Sequence, residues 1–75
     1  MNNNSGAIVQ LADGRKVIVY NNQPLLKMAK KVILNLIDEN YNCIKGDDGK
    51  PKVIIKDISA YNVEMKAAKL IGYVD

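Results

Sequence analysis

The chain has no histidine, no tryptophan and no phenylalanine, and it has one cysteine and two prolines in 75 residues. Each absence removes a class of chemistry. Without histidine, the usual general base near neutral pH and the commonest metal ligand are missing. A single cysteine, Cys43, forms no intrachain disulfide. Secreted domains this small are usually cross-linked, because their cores are too small to hold them. Met1–Ser5 is a polar, asparagine-rich run rather than a basic segment followed by an apolar one. No apolar stretch approaches the roughly 20 residues of a membrane helix. These features lead to the expectation of a cytoplasmic protein with no membrane partner, no cofactor, no metal and no enzymatic activity.

The remaining acids and Cys43 do not restore catalysis. Asp38-Glu39 and Asp47-Asp48 are neighbours in sequence, and adjacent side chains do not converge on one substrate atom. Cys43 as a nucleophile needs a local base or positive charge to lower its pKa, and Lys45 alone is near in sequence. A small apolar residue beside a hairpin is the plainer role. Asp38, Asn40 and Asn42 match positions one, three and five of a calcium loop. The match then breaks, because Cys43 stands where the sharp turn needs glycine and Gly49 where a bidentate glutamate belongs.

What is present is aliphatic and basic. The formal net charge is +3. Residues 1–37 carry Arg15, Lys16, Lys27, Lys30 and Lys31 against Asp13, whereas residues 38–75 carry six lysines against seven acids. Such a bias permits an acidic partner without requiring one. Lysine, asparagine and isoleucine are abundant, and their AT-rich codons suggest a low-GC bacterium or a mobile element.

Periodicity predicts an α+β domain over residues 6–75 after a disordered tail over 1–5. Ala7–Leu11 and Lys16–Tyr20 read as strands around Asp13-Gly14, a signal for a two-residue type I′ hairpin. Asn22 or Gln23 suits the N-cap of a helix whose first turn holds Pro24. Leu25, Met28, Ala29, Val32, Ile33, Leu36 and Ile37 recur at spacings of three and four. An amphipathic helix through Ile37 follows, with Leu25, Val32, Ile33 and Leu36 in the core. Its alternative is a short helix followed by a strand, since Val32–Ile37 is also rich in strand formers.

Tyr41–Lys45 and Lys52–Ile58 flank Gly46–Pro51 as a second, longer hairpin. Ser59 would cap a helix over Ala60–Leu70 with Val63, Ala67 and Leu70 inward and Gly72 as its stop. The alternative is a helix that ends near Lys66 and a final strand over 69–74. The predicted order is β-β-α-β-β-α, and the other architecture is a small bent β-barrel with a helical insertion.

The functional expectation is a small binding or regulatory protein acting through protein–protein contacts, such as a phage or mobile-element inhibitor. Tyr20, Tyr41 and Tyr73 are the interface candidates, because tyrosine is favoured in interfaces. A homodimer is expected, since short hairpins leave unpaired strand edges. The competing reading is nucleic-acid binding by Arg15, Lys16 and a helical stripe of Lys27, Lys30 and Lys31. A third is a structural component of a larger assembly.

Overall fold

The computed structural model describes residues 5–21, 23 and 28–74. The chain runs β1 (Gly6–Gln10), β2 (Lys16–Tyr20), β3 (Lys31–Ile37), β4 (Val53–Asp57), α1 (Ile58–Lys66) and β5 (Lys69–Val74). The strands form one antiparallel sheet in the order β4-β3-β2-β1-β5. Consecutive strands are neighbours up to β4. The chain then returns through α1 to the far edge, so β4 and β5 bound an open sheet rather than closing a barrel.

β1 and β2 pair from Gly6↔Tyr20 to Gln10↔Lys16, as the alternation around Asp13-Gly14 predicts. The turn itself differs from the type I′ expectation. The Leu11 N–H donates to the Arg15 carbonyl and the Gly14 N–H to the Leu11 carbonyl. Gly14 alone in this loop has positive φ, +96°. The loop is therefore three residues long, a type I turn followed by a left-handed glycine. The Asp13 carboxylate favours this form by accepting the Arg15 N–H, at 3.0 Å. At the other end of the hairpin Gly6 permits a close approach. A Cβ there would lie 2.8 Å from the Val19 carbonyl oxygen.

The expected long helix gives way to strand. Residues 31–37 form β3, which pairs with β2 on one side and with all of β4 on the other. A strand packed on both faces reads as a continuous apolar run, which also satisfies helical spacing. Tertiary pairing decides between them. Val32 and Leu34 are buried on the face that meets α1, and Ile37 on the other. Ile33 and Leu36, expected in the core, are half-buried, whereas Leu34 is fully enclosed. Leu25 and Pro24 lie outside the described residues. Met28 and Ala29 are helical, and Lys30 turns the chain into β3 with φ +54°. The alternative of a short helix followed by a strand is thus the better match in this region.

Gln23 does not act as a simple cap. Its side-chain amide donates to the carbonyls of Tyr20 and Ile33 and accepts the Ile33 N–H, at 2.9, 3.1 and 2.7 Å. The ladder between β2 and β3 reaches only from Lys16↔Ile37 to Ile18↔Asn35. Gln23 thus supplies to Ile33 the pair of bonds that a neighbouring strand would make. Asn22, the other cap candidate, lies outside the described residues.

The second hairpin is shorter than predicted. It closes at the Lys45↔Pro51 bridge, and β4 takes β3 as its main partner. Its base forms a ring of three backbone bonds. Leu36 donates to Lys52, Lys52 to Ile44, and Ile44 back to Leu36.

Among the described residues one complete helix is seen, the nine-residue α1, where two were expected. It begins after Asp57, without a side-chain cap bond, and stops at Lys66 rather than continuing to Leu70. Ile58, Tyr61, Met65 and Ala68 pack on the cluster of Val9, Leu11, Val17, Val32 and Leu34. Val63, Ala67 and Leu70, expected inward, are exposed, because the helix is rotated and Leu70 belongs to β5. Burial pushes the Tyr61 phenol above its ordinary pKa. Lys56 on β4 reaches Glu64 on α1 at 3.5 Å. Ser5 extends the sheet beyond β1, since its N–H donates to Val74 and its carbonyl accepts the Asn21 N–H.

Candidate functional site

The pairing register divides the predicted site residues between the two ends of the sheet. Gln10, Lys16 and Ile37 are register partners, so the β1–β2 turn and the turn after β3 meet at one end. Arg15, Lys16 and Tyr41 are brought together there. Tyr20 and Lys31 lie at the opposite end, with Lys30 just before β3. Tyr73 is on the edge strand β5. Lys27 lies outside the described residues.

Of the expected helical lysine stripe, Lys30 and Lys31 do not share a helical face. Lys31 is a strand residue whose ammonium binds the Asp57 carboxylate at 2.6 Å. That hydrogen bond and the charge of Lys31 lower the pKa of Asp57 below its ordinary value of 3.8. Lys30 is held in a left-handed turn that no helical face contains. Arg15 is also engaged, with its Nε 2.7 Å from the Asp13 carboxylate. The Asp13 pKa falls chiefly because its carboxylate accepts the Arg15 N–H.

At the end holding Arg15, Lys16 and Tyr41, a cleft of about 380 Å³ opens between the two turns. Gln10, Arg15, Lys16, Ile37, Asp38 and Glu39 line it. The Lys16 ammonium stands 5.4 Å from the centre of the Tyr41 ring, a cation–π contact that ties the cleft to the exposed tyrosine. Asp38 serves its own turn. One carboxylate oxygen accepts the N–H groups of Asn40 and Asn42, at 2.9 and 3.0 Å. Those bonds account for Asp38 as turn chemistry. Cys43 is half-buried beside the same turn, paired with Ile37. Among the described residues no three His, Cys, Asp or Glu side chains are grouped to hold a metal, and no helix is long and apolar enough to cross a membrane.

A second surface lies along β5. Gly6, Ala7 and Ile8 pair with Val74, Tyr73 and Gly72, and the register then shifts so that Val9 faces Leu70. Ile71 is therefore an extra residue, a β-bulge. Leu70 and Tyr73 are three apart and would point to opposite faces of a regular strand. The bulge puts them on the same face, that of Ala7 and Val9. They are 54% and 59% exposed. Ile71 is exposed beside them. No protein-family model, curated protein or solved structure matches the chain.

Sequence reasoning missed Gln10, Asp38 and Glu39 as cleft residues, and Leu70 and Ile71 as surface ones. The first three come from separate segments that only the strand register unites. The β-like run 70–74 is visible in the sequence, but its bulge is not.

Proposed function

We propose that the chain is a small non-enzymatic binding or regulatory protein that acts through protein–protein contacts. The β5 surface carries this reading. Leu70, Ile71 and Tyr73 form an exposed apolar group on an edge strand, which is the composition of an interface centre. The bulge that aligns Leu70 with Tyr73 also interrupts the outer row of backbone groups. That works against indiscriminate edge-to-edge stacking and leaves recognition to the side chains. A phage or mobile-element inhibitor is one protein of this kind, a reading that rests on the composition.

The ion pairs of Arg15 with Asp13, Lys31 with Asp57 and Lys56 with Glu64 weaken the competing nucleic-acid reading. A phosphate backbone would have to displace those carboxylates. Affinity capture with the tagged chain in its source cells, analysed for protein and nucleic acid together, tests the proposal. A protein should co-purify with the parent and be lost with a Leu70→Ser/Tyr73→Ser double variant that keeps its circular dichroism. Recovery of DNA or RNA, with retention falling steeply as salt is raised, would overturn it. A homodimer falls within the same reading. Sedimentation equilibrium showing a strict monomer would restrict the partner to a different protein.

A further inference from the structure

The two outer edges of the sheet are finished differently. β5 carries a bulge, whereas β4 pairs with β3 in unbroken register from Lys31↔Asp57 to Asn35↔Val53. The Leu36 N–H donates to the Lys52 carbonyl and the Ile58 N–H to the Lys30 carbonyl. Every second residue of an antiparallel strand bonds to the same neighbour, so Ile54 and Lys56 bond to β3. The N–H and C=O groups of Val53, Ile55 and Asp57 therefore point away from the sheet. Among the described residues no strand lies beyond them. Edges are usually blunted by a bulge, a proline or a free charge. β4 has no bulge and no proline, and both of its charges are paired within the chain, Lys56 with Glu64 and Asp57 with Lys31.

Both faces beside this edge expose apolar side chains. Val53 and Ile55, on the face away from α1, are 42% and 53% exposed. On the other face α1 lies over β3 and β4. Its contact with Lys56 marks Glu64 as the side of the helix toward β4. Ala60 and Ala67 stand four residues before and three after Glu64, so they share that side. Both are exposed, as is Val63 next to them. One carboxylate oxygen of Glu64 is closed to water and accepts no hydrogen bond, with the Lys56 ammonium 3.5 Å away.

We infer that β4 is the seam of a symmetric dimer, in which a second copy of this chain pairs antiparallel along it. A two-fold axis at Ile55 sets Ile55 against itself and Val53 against Asp57 of the second copy. The outward N–H and C=O groups then satisfy one another. Lys56 falls opposite Ile54, so no like charges face each other directly. Strands lie about 4.8 Å apart, so two helices that each span β3 and β4 come within about 10 Å, the spacing of packed helices. Ala60 of one copy then approaches Ala67 of the other, and their small side chains permit that distance. Lys56 of the second copy arrives on the α1 side of Ile54, toward the unsatisfied Glu64 oxygen. A strand from another protein would complete the backbone bonds, but the second copy also brings the helix that this spacing admits. The inference rests on the protein-binding reading, names one partner for it, and leaves β5 open to another.

Sedimentation equilibrium of the full chain should give twice the chain mass at micromolar concentration. Amide hydrogen exchange at Val53, Ile55 and Asp57 should slow as the dimer forms. Because Ile55 meets itself on the axis, Ile55→Lys and Ile55→Glu should each be folded monomers. An equimolar mixture of the two should associate again. Val63→Glu sets a further carboxylate beside Glu64 in the helix seam and should weaken the dimer about tenfold or more. It tests the seam even if the Ile55 variants do not fold. A monomeric parent would overturn the seam and leave the protein-binding reading in place. A dimer that keeps its affinity in these variants would overturn it too. So would a dimer lost in Leu70→Ser/Tyr73→Ser alone, which would put the contact on β5. The protein-binding reading fails separately, on capture of nucleic acid in place of protein.

Discussion

The centre and the edges of this sheet are built from the same residue types and put them to different use. Val17 on β2 and Leu34 on β3 are 0% exposed. Each has a strand on either side, and the α1 face lies over both. At the edges, Val53 and Ile55 on β4 and Leu70, Ile71 and Tyr73 on β5 leave large parts of their side chains in water. Hydrophobic stabilisation follows the area removed from water. The free energy of folding is therefore concentrated in the three central strands. In a chain of 75 residues this division is severe, since few side chains remain to share the load.

The sharpest test of that division is Leu34→Ala. It should cost about 2–5 kcal/mol, the range for buried leucine truncations, and so leave little or no folded protein at 25 °C. Urea unfolding of the purified variant measures it, and a parent-like midpoint would show that the centre does not carry the fold. The next effect concerns backbone approach rather than side-chain burial. Gly6→Ala would press a methyl group onto the Val19 carbonyl, so β1 and β2 would have to separate. We expect a loss of about 1–3 kcal/mol, as for other overpacked sites, read in the same assay.

At the edge, Leu70→Ser should change stability by no more than about 0.5 kcal/mol, the usual range for surface positions. A loss as large as that of Leu34→Ala would mean that β5 belongs to the folding core. The smallest effect is electrostatic. The folded pKa of Asp57 lies below its ordinary 3.8, so its pairing with Lys31 contributes stability above that value and loses it as pH falls through the lowered one. Thermal melts of parent and Asp57→Asn should therefore differ slightly at neutral pH and converge in acid. A constant difference across the range would assign the effect to something other than ionisation.

Several of these features were legible before the structure. Asp13-Gly14 between two apolar runs marked the first hairpin, because glycine tolerates the left-handed conformation that closes it. The mixed α+β class followed from the same alternation. The segment from Val32 to Ile37 was ambiguous for a physical reason. This strand buries residues on both faces, Val32 and Leu34 on one and Ile37 on the other, and an unbroken apolar run fits either period. Of the site residues, Arg15 and Lys16 are adjacent in sequence, but nothing local shows that Tyr41 joins them.

The sequence by itself determined the local conformations that single residues can enforce. Glycines at 14 and 49 mark left-handed positions, aspartates at 13, 38 and 48 brace the turns, and a missing histidine narrows the chemistry. Tertiary structure decided whatever depends on a partner distant in the chain. Pairing with β2 and β4 made residues 31–37 a strand. Pairing with β1 made Ile71 a bulge and turned Leu70 and Tyr73 to one face. The meeting of two turns set Lys16 over Tyr41, in a left-handed position that tyrosine does not favour on its own. Short-range sterics act within a few residues and can be read from them, whereas strand register is chosen by side chains brought together only when the sheet forms.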